Sequence, residues 1–148
     1  MAYTIGEVAK KLDLSPSALR YYDKEGLLPF VTRTPGGIRT FREEDLEWLR
    51  VITCLKKTGM PLCDIRRFVE MAMQGDATIT ERLALIKAQK AAVERQIAAW
   101  EDTLRILAFK EWYYQTAEEK GTTAVPREMP LSDVPAEFRA VRLHLCGK

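Results

Sequence analysis

The segment from Thr78 to Lys120 contains neither glycine nor proline, and it limits the possible folds of this chain more than any other feature. Uninterrupted helix over about 40 residues would extend for about 60 Å at 1.5 Å per residue. A helix of that length cannot be enclosed in a globular domain of a 148-residue protein. It must pack against a second long helix, or it must lie along the surface of its own domain.

Apolar residues recur in this segment at alternating spacings of four and three. The series that begins at Ile79 is apolar at all six positions, whereas the series from Leu83 includes Lys90 and Glu111. This sustained heptad is typical of a coiled coil, and the polar members leave strand number and direction open. Thr78 and Glu81 have the spacing of a capping box that would begin the helix. The predicted dimerisation residues are Ile79, Leu83, Ile86, Val93, Ile97, Trp100, Leu104 and Leu107.

Two short helices are predicted near the N-terminus. Thr4 and Glu7 have the spacing of a capping box that would begin the first helix, and a turn follows at residues 13–14. Ser15 is suited to cap a second helix, which would end at Gly26. Two short helices joined by a tight turn indicate a helix-turn-helix.

A small hairpin is predicted after the helix-turn-helix. Strand-like residues 30–32 and 38–41 flank the turn-rich segment 33–37, and a hairpin in this position is called a wing. A third helix over about residues 42–58 and a fourth over about 62–74 would follow. The predicted fold is mainly α: four short helices with a β-hairpin wing, then the long helix.

Basic residues are concentrated in the N-terminal part of the chain. Residues 8–42 contain seven lysines and arginines against three acidic residues, whereas residues 79–120 contain seven of each. A basic head followed by a charge-balanced helix is typical of a DNA-binding domain joined to an assembly module. Serine, arginine and tyrosine side chains suit base edges and phosphates. The predicted DNA-binding residues are Ser15, Ser17, Arg20, Tyr21, Tyr22, Lys24, Arg33, Arg39, Phe41 and Lys57.

Three strings of this sequence resemble the MerR family of bacterial transcription regulators. They are Thr4–Ala9, Leu19–Pro29 and Gly37–Phe41, and the likeness continues through the fourth helix. The second string, with its Arg-Tyr-Tyr and Gly-Leu-Leu, is far more specific than a generic helix-turn-helix. Phe41 stands where the family often has tyrosine, so one hydroxyl contact with DNA would be missing.

The resemblance implies a dimer that switches promoters. Members of this family form antiparallel coiled-coil dimers that bind a pseudo-palindromic promoter site and, on receiving a signal, distort the DNA so that RNA polymerase can use it. The implied organisation is a winged helix-turn-helix domain over residues 1–75, a dimerisation helix over 76–120 and a tail over 121–148 that packs at the dimer interface. Effector, operator and the choice between activation and repression stay open.

The cysteines point to thiol chemistry rather than to a metal site. Cys54, Cys63 and Cys146 are widely spaced and the chain has one histidine, so we expect free thiols, no metal site and no cofactor. Cys54 lies in the third helix near Lys56 and Lys57, and nearby cations favour a thiolate. The resemblance points to the subgroup that senses aldehydes and other electrophiles through one cysteine in that helix. From residue chemistry alone, an inert core cysteine remains the alternative.

Three further alternatives concern the effector and the class of protein. Trp100, Trp112 and Tyr113 could line an apolar ligand pocket, although aromatic residues at helical spacing usually form core. A coiled-coil adaptor without a DNA role is a second alternative. An enzyme is the third, and no catalytic motif supports it. With no membrane span and no signal peptide in the sequence, we expect a cytoplasmic location.

Overall fold

The order of helices and strands matches the sequence-based prediction, with an additional strand at one end and an additional short helix at the other. The computed structural model describes residues 2–146, without the side chain of Cys146. The elements are β1 (Tyr3–Thr4), α1 (Ile5–Leu12), α2 (Pro16–Lys24), β2 (Thr32–Arg33), β3 (Arg39–Phe41), α3 (Glu43–Lys57), α4 (Leu62–Met73), a 3-10 turn (Asp76–Thr78), α5 (Ile79–Lys120), α6 (Ala124–Glu128) and α7 (Ala136–Cys146).

Local hydrogen bonds explain where the first two helices begin. The Thr4 hydroxyl accepts from the Glu7 amide, and the Glu7 carboxylate accepts from the Thr4 amide at 2.7 Å, which is the predicted capping box. The hydrogen bonds from the Thr4 backbone amide and then from its hydroxyl hold the pKa of Glu7 below its usual value. Ser15 caps α2 by accepting from the Ala18 amide at 3.1 Å, which confirms its predicted role.

The first of two compact units spans residues 1–91. Its sheet has the order β1–β3–β2 and is antiparallel throughout, so the predicted hairpin of β2 and β3 gains β1 as a third strand. The core lies between this sheet and helices α1 to α4. Its fully buried side chains are Val8, Leu19, Leu27, Phe41, Leu46, Leu49, Ile52, Ile65 and Val69.

Gly26 follows the end of α2 in a conformation that requires glycine. Its φ is +74°, and a Cβ built on it would lie 3.3 Å from Cδ of Arg66. The left-handed turn directs the chain into the core at Leu27 and Leu28, both of which are buried.

We expect Gly26→Ala to lower the free energy of unfolding by about 1–3 kcal/mol, because alanine is strained at positive φ. The measurement is urea unfolding of the full chain. Gly6 is the matched control, since it lies within α1 with open space around its Cα. Gly6→Ala should leave stability unchanged or raise it by about 0.5–1 kcal/mol. Equal effects of the two substitutions would contradict this explanation.

The start of α5 differs from the prediction. The Thr78 hydroxyl does not cap Glu81; it is a donor to the carbonyl oxygens of Met71, at 2.5 Å, and Gly75, at 3.0 Å. Thr78 is buried, so its hydroxyl needs these acceptors from the preceding segment. The predicted capping box is therefore replaced by a tie between the beginning of α5 and the end of α4.

The second unit spans residues 92–148 and contains the remainder of α5 with the tail. Phe109 is buried, and its ring lies 5.9 Å from that of Trp112 and 6.1 Å from that of Phe138 on α7. Pro126 on α6 and Val134, just before α7, are also buried. The tail forms α6 and α7, and Phe138 of α7 shares a small core with Phe109 near the end of α5.

Candidate nucleic-acid interface

One face of α2 carries exposed polar and aromatic side chains, because Leu19 and Tyr22 turn the opposite face into the core. Ser17, Arg20, Tyr21 and Lys24 are exposed, as predicted for residues that contact DNA. The Ser17 hydroxyl lies 2.9 Å from that of Ser15, which is itself engaged in capping. The available hydrogen-bonding groups on this face are therefore chiefly those of Arg20, Tyr21 and Lys24.

Two residues on the predicted list of DNA contacts are buried instead. Phe41 is 0% exposed and Tyr22 is 4% exposed, so neither side chain is available to a duplex at the surface. Both belong to the core beneath the helix-turn-helix. This corrects the prediction: the side chains of Phe41 and Tyr22 belong to the core that supports the exposed face of α2.

The wing is held against α2 by a three-residue ion cluster. Arg33 on β2 and Arg39 on β3 face each other in the strand register, and both donate to the same oxygen, Oδ2 of Asp23. The distances are 2.7 Å from Arg33 Nη2 and 2.6 Å from Arg39 Nη2. The sequence-based prediction did not include Asp23, because it placed Arg33 in the turn of the hairpin, whereas the structure pairs Arg33 with Arg39 across the two strands.

The end of α3 carries two lysines and lies close to the exposed face of α2. Nζ of Lys56 is 5.0 Å from the ring centroid of Tyr22 and 5.8 Å from that of Tyr21, within the range of cation–π contact. Lys57 is exposed, and the part of the chain that the structure describes offers it no ion-pair partner. The end of α3 therefore adds positive charge beside α2.

Cys54 is exposed and lines a cleft of about 360 Å³. Arg50 and Lys57 lie four residues before it and three after it on α3, so all three occupy one face of the helix. The remaining lining residues come from α3 and from the end of α1: Lys11, Leu12, Asp13 and Thr53. Exposure excludes the alternative that Cys54 is a core residue. Cys63, on the first turn of α4, is exposed as well.

The predicted ligand-pocket residues do not form one group. Trp112 and Tyr113 are half-buried and pack around Phe109, with ring centroids 5.9 and 6.3 Å from it. Trp100 is 63% exposed and makes no ring contact among the described residues. Trp112 and Tyr113 therefore belong to the core of the second unit, whereas Trp100 belongs to the exposed apolar series of α5.

That apolar series is unpartnered within the single chain. Its members in the first unit, Ile79, Leu83 and Ile86, are exposed. In the second unit, the predicted member Val93 is half-buried and the other apolar members are exposed. Exposed apolar residues at heptad spacing are what a helix presents to a partner helix. The exposed second-unit members are Ile97, Trp100, Leu104, Leu107 and Tyr114.

Residues 2–146 contain no group of three or more histidine, cysteine, aspartate or glutamate side chains that could hold a metal ion. No helix among them is both long and apolar enough to cross a membrane. The side chain of Cys146 lies outside the described part.

Comparison with known proteins matches both the head and the long helix. A family model described as MerR HTH family regulatory protein matches residues 3–72, and one described as MerR, DNA binding matches residues 46–108. An uncharacterized HTH-type transcriptional regulator of Haemophilus influenzae is 47% identical over 122 residues, which cover 82% of this chain and 90% of that protein.

Solved structures agree with this assignment. HiNmlR, a MerR family regulator that lacks the sensor domain and was crystallised with promoter DNA, is 46% identical with a TM-score of 0.65; the match covers 83% of this chain and 98% of HiNmlR. PbrR691 of Ralstonia metallidurans, in complex with lead(II), is 28% identical with a TM-score of 0.62, over 74% of this chain and 86% of that one.

These relatives are transcriptional regulators rather than enzymes, and the enzyme and adaptor alternatives are therefore set aside. The exposed face of α2, the wing beside it and the part of α5 up to residue 108 lie in the residues that the family models match. The chain belongs to the MerR family of DNA-binding transcriptional regulators.

Proposed function

We propose that this regulator binds a pseudo-palindromic promoter site as a homodimer and distorts the DNA when a reactive aldehyde or another electrophile adds to Cys54. The observation that carries the signal part is the exposure of Cys54 in a cleft with Lys11, Arg50 and Lys57. The dimer part rests on the apolar series of α5, which is exposed in the single chain. RNA polymerase is the indirect partner in this proposal, and the cytoplasm is the proposed location.

The chemistry at Cys54 needs no group beyond those in the cleft. Sγ adds to the aldehyde carbon, so an S–C bond forms as the C=O π bond breaks, and the thiol proton passes to the carbonyl oxygen to give a hemithioacetal. No oxidant or reductant takes part. The cations at Arg50 and Lys57 would stabilise the negative charge that develops on that oxygen.

An adduct on α3 has a direct route to α5. Cys54 lies one turn before Thr58, whose carbonyl oxygen accepts from Nε2 of Gln89 on α5 at 2.8 Å. A shift of the C-terminal end of α3 would therefore be transmitted through this hydrogen bond to α5, the proposed dimerisation helix, within the first unit. Bending a promoter site costs on the order of 1–6 kcal/mol, so a small bias between two arrangements of the heads is sufficient to switch it.

The test is in vitro transcription with bacterial RNA polymerase and formaldehyde. The template carries, between its promoter elements, the duplex that the wild-type protein enriches from a random-sequence pool. We expect formaldehyde to change the transcript level with wild-type protein and to have no effect with Cys54→Ser. Cys63→Ser is the matched control, since it removes another exposed thiol of the first unit, and it should respond like wild type.

A response that persists in Cys54→Ser would contradict the thiol proposal. The alternative is then an apolar ligand at Trp112 and Tyr113, with Trp100 as a further predicted contact. The aromatic cluster around Phe109 is closely packed, with ring centroids 5.7–6.3 Å apart. Such a ligand would have to separate α7 from the end of α5, and it would be detected as a change in tryptophan fluorescence.

A further inference from the structure

Asp23 is the negative member of the ion cluster between α2 and the wing. Its side chain is 16% exposed, that of Arg39 is 24% exposed and that of Arg33 is 52% exposed. One carboxylate therefore stands beside two guanidinium groups, and its charge offsets that of one of them. The net positive charge that the wing presents to solvent is therefore about half of the charge that its two arginines carry.

The strand register makes this carboxylate necessary. Arg33 and Arg39 are directly opposed in the β2–β3 ladder, where like charges destabilise the pairing. Both guanidinium groups turn to the same oxygen of Asp23, and Arg39 approaches it with both Nε and Nη2. A shared acceptor on α2 therefore fixes the wing to the helix that reads DNA.

The ion pairs with Asp23 also limit how well the wing arginines can neutralise a DNA phosphate. Non-specific binding to DNA comes from neutralising phosphates with lysine and arginine. An arginine that is already paired with a half-buried aspartate must give up that partner, or share it, before it can act in this way. A correctly placed duplex can compensate through base contacts of α2, whereas a random duplex cannot.

We propose that Asp23 is a positioning residue that sets sequence specificity: it holds the wing in register with α2 and restrains binding to DNA of the wrong sequence. Replacing Asp23 separates its role in positioning the wing from its role in restraining non-specific binding. Specific binding weakens because the wing is no longer fixed, and non-specific binding strengthens because two arginines are released. A purely structural residue would weaken both kinds of binding.

The experiment measures binding of the full chain to two duplexes of equal length over a range of salt concentrations. One is the duplex enriched by wild-type protein from a random pool, and the other is a scrambled version of it. For Asp23→Asn we expect specific affinity to fall about tenfold and non-specific affinity to rise about three- to tenfold. The slope of log K against log salt on the scrambled duplex should steepen by about one per head.

Two variants separate charge from geometry. Asp23→Glu keeps the charge, so its non-specific affinity and salt slope should stay at the wild-type value while specific affinity falls. Glu47→Gln makes the same change of charge at an exposed position of α3, and it controls for net charge alone. Circular dichroism checks that each variant is folded.

The proposal is overturned if Asp23→Asn binds the scrambled duplex with wild-type affinity and slope, whatever happens to specific binding. It is also overturned if Glu47→Gln steepens the slope as much, since net charge then explains the effect. If Asp23→Asn does not fold, Asp23→Glu decides: increased non-specific binding by that variant would contradict a role for the charge.

Discussion

Replacing both Ile97 and Leu104 with glutamate is expected to convert the proposed dimer to monomers and to reduce affinity for the enriched duplex by about 100-fold or more. The two side chains are 52% and 64% exposed in the single chain, so the substitutions do not disturb the core of their own unit. In a coiled coil they would place four carboxylates per dimer in an apolar interface, at a cost of several kcal/mol per buried charge. Monomers hold one half-site each and lose the benefit of linked binding.

The measurements are sedimentation equilibrium and titration of the duplex. Glutamates at Ala98 and Ala99 form the matched control, because both positions are exposed on α5 and lie outside the apolar series. That control adds the same charge to the same helix and should remain a dimer with wild-type affinity. A dimer that survives the substitutions at Ile97 and Leu104, with unchanged DNA binding, would show that α5 is not the interface.

Arg20→Ala is expected to weaken binding to the enriched duplex by about 1–3 kcal/mol, roughly 5- to 150-fold, and to relax sequence preference at one position of each half-site. Arg20 is exposed on the face of α2 opposite Leu19 and Tyr22, where a guanidinium can reach a guanine in a bidentate manner. Affinity for a scrambled duplex should fall much less, since only one phosphate-attracting charge is lost.

Arg95→Ala serves as the control for Arg20, because it removes an exposed arginine from α5 in the second unit. Selection of binding sites from a random pool by both variants gives the readout. A loss of the same size on the enriched and scrambled duplexes would mean that Arg20 holds a phosphate. An unchanged affinity would mean that this face of α2 does not read DNA.

The predictions that the structure confirms depend on neighbours in the sequence. The capping box of Thr4 and Glu7, the cap at Ser15 and the end of α2 at Gly26 are decided within a few residues, where propensity and hydrogen bonding act directly. The apolar series of α5 is also local, because its spacing follows from the helix period alone. Thr78 shows the limit of such reasoning, since its hydroxyl donates to carbonyl oxygens of the preceding segment instead of forming the predicted capping box with Glu81.

The candidate site was harder to predict from the sequence, because solvent exposure and ion pairing depend on residues that are far apart in the chain. Tyr22 and Phe41 were expected at the DNA surface and lie in the core, because they become buried only when the elements of the first unit pack together. The role of Asp23 was not predicted, because the hairpin brings Arg33 and Arg39 to it only in the folded chain. Dimerisation, the domain limits and the role of Cys54 remain predictions.

The sequence by itself therefore determined the kind of protein: a helix-turn-helix, a wing and a helix too long to pack within one chain, each specified by local pattern. The tertiary structure decided which charges are available to DNA. Two wing arginines share one carboxylate of α2, and Cys54 opens into a cleft beside Arg50 and Lys57. The physical reason is that Coulomb attraction and burial depend on distance in space, and for residues far apart in the chain that distance exists only after folding.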